Sequence, residues 1–239
     1  MNIFSLLRRL SSFQIIVLSF ALLIGSGTLL LMTPWATQDG QGAALLPACF
    51  TAVSASCVTG LTVVDTASYW SHFGQLVILM LIQVGGLGVV TMAVAITVGM
   101  GQHVGLMQRS TMQDAISAQQ IGGIVRMLRF VLKFPAGTEL LGACLRLPVF
   151  ARDYGWLQGL WMAVFHSISA FCNAGFDLMG PRSGGSLMAY AGDPLVNLTI
   201  MGLIMAGGLG FLTWADVSGN RLHWRRRTLQ TRSYLLMTP

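Results

Sequence analysis

The chain has 239 residues, 54% of them hydrophobic and only 9% charged, with 28 glycines and a formal net charge of +6. So little charge on so much apolar surface excludes an ordinary water-soluble domain and fits a polytopic membrane protein, where glycine lets helices approach closely. The positive charge reflects loop position rather than nucleic-acid binding. Eleven of the 14 Lys and Arg residues lie at Arg8–Arg9, from Arg109 to Lys133 and from Arg221 to Arg232, which marks those segments as cytoplasmic.

Arg8 and Arg9 followed by an apolar run imitate a signal peptide, but Phe13 to Met32 is about 20 residues, long enough to cross a bilayer, and reads as a retained first helix. After an outer turn at Pro34 and Gly40–Gly42, the apolar segment Ala43 to Ser56 is too short to span. It predicts a half-helix that enters from outside and returns as extended chain through Val58-Thr59-Gly60-Leu61-Thr62. Phe73 to Val98 is expected to cross inward, with Gly85-Gly86-Leu87-Gly88 allowing close packing or a bend. Residues 99–123 form a cytoplasmic linker.

A second unit begins near Ile124. Arg126, Arg129 and Lys133 crowd its first half, so the expected spanning helix of Ile124 to Val149 starts near Phe130, with a kink at Pro135. Trp156 to Phe171 reads as a second half-helix, Cys172 to Asp177 as its polar return, and Pro194 to Trp214 as a second inward helix. The predicted fold class is an all-α membrane protein built from parallel repeats of helix, re-entrant pore half-helix, filter loop and helix. The units cover 1–98 and 124–217. Residues 218–239 form a basic cytoplasmic segment leading toward a third unit that the sequence does not contain.

The repeat is visible directly. FTAVSASCVTGLT at 50–62 returns as FHSISAFCNAGFD at 165–177, and IQVGGLGVVT at 82–91 returns as IMAGGLGFLT at 204–213. A duplicated polar, Gly-bearing segment between apolar stretches points to exposed backbone in an ion-conducting pore. The four cysteines form neither a disulfide framework nor a metal-ligand spacing, and no nucleophile or cofactor constellation supports an enzyme. GGLG is no phosphate loop, because no strand-to-helix signature or Lys-Ser/Thr accompanies it.

SASCVTGLTVVDT at 54–66, FHSISAFCNAGFDLMG at 165–180 and the paired GGLG segments resemble the Trk/Ktr/HKT superfamily of potassium transporters. The resemblance covers nearly the whole chain. It implies potassium transport across the cytoplasmic membrane of a bacterium by a multi-pass protein, and leaves sodium coupling or stimulation open. It also implies four helix–pore-loop–helix units around a pore of fourfold pseudosymmetry, of which this chain has two that resemble the first and second. Implied partners are a homodimer of complete pore subunits, membrane lipid and a cytoplasmic nucleotide-binding ring. ATP or a related nucleotide would act only through that separate subunit. The short stretch before the first unit resembles the Ktr-type branch.

An ion leaving water needs replacement oxygens, which an extended loop supplies as backbone carbonyls. Val58, Thr59, Gly60, Leu61 and Thr62 are assigned to the first filter quarter, and Cys172, Asn173, Ala174, Gly175 and Phe176 to the second. Gly60 and Gly175 are the principal candidates; the resemblance associates glycine there with potassium preference and serine at the first-unit position with sodium-permeable relatives. Asp65 and Asp177 follow the filter strings, where they either raise local cation concentration or are solvated loop acids or partners of loop amides. Glu139 is an intramembrane carboxylate and calls for a structural partner, with a step on the ion path as the alternative. The Arg225–Arg227 run fits a topology signal, anionic lipid or a regulatory subunit. A non-conducting scaffold or regulatory half-transporter is the competing reading of the whole.

Overall fold

The computed structural model describes residues 12–88, 91, 124–180, 186–210, 213, 214 and 216. The linker 99–123, the basic segment 218–239 and most of the stretch after Gly88 lie outside the described residues. All named elements are helical: α1 (Ser12–Leu31), α2 (Leu45–Ser56), α3 (Thr66–Tyr69), α4 (His72–Leu87), α5 (Ile124–Tyr154), α6 (Trp156–Phe171) and α7 (Pro194–Gly208). Short 3-10 turns occupy Pro34–Ala36 and Met188–Tyr190.

The α1 sequence has no charged side chain, and its Ser26 and Thr28 hydroxyls return to the Leu23 and Ile24 carbonyls. Among the described residues, one helix is long and apolar enough to cross a membrane, over Gln14–Leu31. The two segments expected as half-helices are helical over nearly the expected residues, α2 starting two residues late at Leu45 and α6 having both expected ends.

Three predicted helices differ. The first inward helix does not continue unbroken to Val98: α4 is capped at Gly88 with φ +87°, and only Thr91 is described beyond it before residue 124. Its counterpart α7 stops at Gly208 rather than Trp214, followed by Gly210 at φ +77°. In contrast, α5 does not wait for Phe130; it runs from Ile124 through Pro135 and Pro148 to Tyr154, 31 residues in all. Its length is supported by the α5–α6 hairpin, which crosses so closely at Gly159 that a Cβ there would be 2.6 Å from the Ala151 nitrogen. Fully buried Arg146 ties the same hairpin, Nε donating to the Gly142 carbonyl at 3.2 Å and Nη2 to that of Ala163 at 3.4 Å.

The two units repeat each other's packing. A Cβ on Gly27 of α1 would meet the Leu81 side chain of α4 at 2.7 Å; a Cβ on Gly142 of α5 would meet Leu203 of α7 at 2.7 Å. Where the units join, Trp161 Nε1 donates to Gln75 Oε1 at 2.8 Å, and Gln75 Nε2 donates to the Trp70 carbonyl at 3.1 Å. Buried Trp70, Ile78, Ile82 and Phe165 form the shared core there.

Candidate functional site

The repeated strings 50–62 and 165–177 end α2 and α6 in the same way. Thr59 N donates to the Ser54 carbonyl at 2.9 Å and Val58 N to that of Ala55 at 3.3 Å; Ala174 N donates to Ser169 at 2.8 Å and Asn173 N to Ala170 at 3.1 Å. This is the Schellman pattern, which turns the chain sharply off the helix through a left-handed residue. Here that residue is Val58 at φ 56° and Asn173 at φ 57°. A β-branched valine in this region is strained, at a cost of about 1–3 kcal/mol. Two residues on, Gly60 and Gly175 are left-handed again, at φ 74° and 72°. Glycine is required at Gly60 twice over, since a Cβ would also approach the Ala174 carbonyl oxygen to 2.6 Å.

Both turns are held from behind by the GGLG segments. A Cβ on Gly85 would collide with the Ser56 carbonyl, and one on Gly207 with the Phe171 carbonyl, the matching position of the second unit. The glycines let α4 and α7 press against the last turns of α2 and α6. Helix C-termini carry partial negative charge, so two of them beside the non-helical segments favour a cation over an anion.

The other sequence candidates fall into distinct settings. The Thr59 hydroxyl donates to Ser54 Oγ at 3.0 Å, directing it back to its own helix. Leu61 and Thr62 are exposed, whereas Ala174 and Phe176 are buried. Asn173 Nδ2 donates to the Phe171 and Ile204 carbonyls, both at 3.4 Å, and braces the turn against α7. Cys172 packs on Gly86, while Cys57 is exposed. Asp65 caps α3 by accepting from Ser68 N at 2.8 Å, and Asp177 Oδ1 accepts from Met179 N at 2.9 Å. Asp65 therefore serves an amide of the α3 turn and Asp177 a loop amide. Glu139 is brought to the junction of the units beside the second turn, where Gln83 Nε2 donates to its two oxygens at 3.1 and 3.2 Å and Gln83 Oε1 accepts from Cys172 Sγ at 3.9 Å.

Two further braces hold the second turn, of which the hydrogen-bonded role of His166 in its half-helix is expected from the sequence and that of Ser169 is not. Ser169 Oγ donates to the Phe176 carbonyl at 2.6 Å, and His166 accepts from Leu178 N through Nε2 at 3.2 Å while its Nδ1 bonds the Met162 carbonyl at 2.7 Å. A neutral imidazole with its proton on Nδ1 meets both bonds. The recurrence of Ser169 at Ser54 flagged a structural role; nothing in the string indicated which carbonyl it would meet. Among the described residues, no group of three or more His, Cys, Asp or Glu side chains is placed to hold a metal ion.

The model of the TrkH family, described as cation transport protein, matches residues 7–237. The chain belongs to this family. The TrkH-family assignment is to transport proteins and not to enzymes, and it carries with it membrane residence. The chain is 41% identical over 225 residues to the Ktr system potassium uptake protein B of Bacillus subtilis, covering 94% of this chain and 48% of the relative. It is 36% identical over 210 residues to the potassium/sodium uptake protein NtpJ of Enterococcus hirae, covering 88% and 46%. A protein of Vibrio alginolyticus with the Ktr uptake protein B name is 34% identical over 231 residues, covering 95% and 49%. The chain thus spans about half the length of the curated relatives it matches.

Proposed function

We propose that this TrkH-family chain contributes two parallel units of a potassium pathway, each made of a helix, a re-entrant half-helix, a filter loop and a second helix. The observation that carries this reading is the matched turn after α2 and α6, with left-handed residues at Val58 and Gly60 recurring at Asn173 and Gly175. Left-handed residues alternating with ordinary ones re-aim successive peptide groups, so that carbonyls of residues 58–62 and 172–176 can line a common path and replace an ion's water. The names of the potassium uptake relatives support potassium as the ion, and that of NtpJ keeps sodium in view.

In this account the chain is multi-pass in a bacterial inner membrane, with units 1–98 and 124–217 joined by a cytoplasmic linker at 99–123 and followed by a basic segment at 218–239. Asp65 and Asp177 stand at the outer mouth, and their loop hydrogen bonds leave their charge available to attract cations. Glu139 is structural. A complete pore subunit pairs as a homodimer, and the linker and Arg225–Arg227 face a separate nucleotide-binding ring. This part rests on resemblance to the Ktr-type proteins. The competing reading, a non-conducting scaffold, draws on the exposed apolar face of α7.

Ion flux decides between them. In proteoliposomes carrying these two units within a protein of full family length, with its cytoplasmic partner where one is required, potassium entry is expected to exceed sodium entry and to fall when Gly60 or Gly175 is replaced by valine. Equal entry of both ions, or selectivity unchanged in both variants, refutes the filter assignment; no entry favours the scaffold.

A further inference from the structure

The two units end their half-helices with the same turn, but they hold the chain beyond it in different ways. In the first, the Thr59 hydroxyl donates to Ser54 Oγ at 3.0 Å, a contact that stays inside the turn. The second has Ala174 at the matching position, with no hydroxyl to offer. Its Ser169, the match of Ser54, reaches forward instead and donates to the Phe176 carbonyl at 2.6 Å. His166 then accepts from the Leu178 amide on Nε2 at 3.2 Å. A carbonyl and the amide two residues on face the same side along extended backbone, so both bonds draw one edge of the loop onto α6.

The match of His166 in the first unit is Thr51, and both side chains are buried, at 3% and 2% exposure. A threonine hydroxyl sits directly on Cβ, whereas an imidazole carries Nε2 on the far side of its ring. The forward reach to residue 178 therefore depends on the histidine. Its ring is held on every side the reach requires. Nδ1 bonds the Met162 carbonyl at 2.7 Å, and the rings of Phe150 and Phe165 stand against it with centroids 5.7 and 6.0 Å away. One turn before Phe150 on α5, buried Arg146 ties the α6 backbone at the Ala163 carbonyl.

We infer that His166 and Ser169 are positioning residues for potassium discrimination, a clamp found in the second of the two units that sets where the outer part of its filter loop stands. The inference rests on the filter reading. Carbonyls discriminate between ions through their number, spacing and field, and a loop released from its helix keeps none of these fixed. Loss of the clamp therefore costs discrimination.

The test places single substitutions in these two units within a protein of full family length. Asparagine reproduces the Nδ1 side of an imidazole and glutamine the Nε2 side. His166→Asn thus keeps the Met162 bond and loses Leu178, whereas His166→Gln offers its amide oxygen to Leu178. Hydrogen exchange at the Leu178 amide reads the clamp without ion flux. It is expected to quicken about tenfold in His166→Asn, the scale of one unmade buried hydrogen bond, and to return close to the unsubstituted rate in His166→Gln. Sodium competition against rubidium uptake reads the consequence. A roughly tenfold loss of rubidium preference is expected in His166→Asn, a loss in the same direction in Ser169→Ala, and recovery in His166→Gln.

Equal behaviour of His166→Asn and His166→Gln in both readouts overturns the positioning role, because a residue that only fills its site would respond alike to either amide. Preference unchanged in His166→Asn and Ser169→Ala, but altered by Gly60→Val or Gly175→Val, overturns the clamp and leaves the filter reading standing. Preference unchanged in all of these variants refutes both.

Discussion

Gly60 and Gly175 lie against each other across the two units: a Cβ built on Gly60 would stand 3.1 Å from the Gly175 Cα, and one on Gly175 would stand 3.3 Å from the Gly60 Cα. Neither position has room for a side chain without moving the other loop. Gly60→Ser therefore strains its own left-handed backbone and displaces the second filter quarter. An energetic cost of about 1–3 kcal/mol concentrated there corresponds to a roughly tenfold loss of potassium-over-sodium preference. Competition of sodium against rubidium uptake measures it; an unchanged competition curve contradicts the assignment.

The GGLG glycines make a paired stability prediction. Gly85→Ala and Gly207→Ala each push a methyl into a half-helix carbonyl, and each is expected to destabilise by about 1–3 kcal/mol. Gly202→Ala on α7 has open space and a helical backbone, so it is expected to be neutral or mildly stabilising. Thermal unfolding in detergent separates the two outcomes. Equal behaviour of Gly85→Ala and Gly202→Ala would remove the close approach from the account.

The Gln83–Glu139 pair is expected to be coupled. Glu139→Ile alone leaves the Gln83 amide without its partner, costing about 1–3 kcal/mol. Adding Gln83→Met installs the residues found at the matching positions, Ile24 and Met205, and should restore most of the loss. A double-mutant cycle in unfolding checks this. Additive losses would show that the two side chains act separately, and abolished flux in the restored double variant would move Glu139 onto the ion path.

Val58 carries strain that Asn173 largely avoids, because asparagine tolerates the left-handed region. Val58→Gly is expected to stabilise by about 1 kcal/mol, whereas Asn173→Gly loses the hydrogen bonds to Phe171 and Ile204 and gains little. Urea or thermal midpoints of the two variants test the difference; a destabilised Val58→Gly contradicts the strain.

These cases mark what the sequence made legible. The repeat exposed the two half-helices almost to the residue, because Phe50, Ser54 and Gly60 recur at Phe165, Ser169 and Gly175 and the apolar runs have the wrong length to span. Val58 was invisible as a left-handed residue, since its own propensity argues against that backbone and the Schellman bonds override it. The start of α5 was misread because Arg126, Arg129 and Lys133 resemble a loop, while hydrophobicity says nothing of the hairpin that carries the helix on. The partner of Glu139 sits 56 residues away in sequence, and no local pattern links them. Ile82 is buried in the core with Phe165 whereas Ile204 is 42% exposed, a difference of tertiary packing that two identical letters do not carry.

The most direct measurement of the central claim is anomalous scattering from crystals of the chain soaked in rubidium, which replaces potassium. The account predicts an ion peak enclosed by backbone carbonyls of residues 58–62 and 172–176, lost in Gly60→Val and Gly175→Val. A peak elsewhere, such as at Glu139, with none between the two loops in the unsubstituted protein, would contradict it.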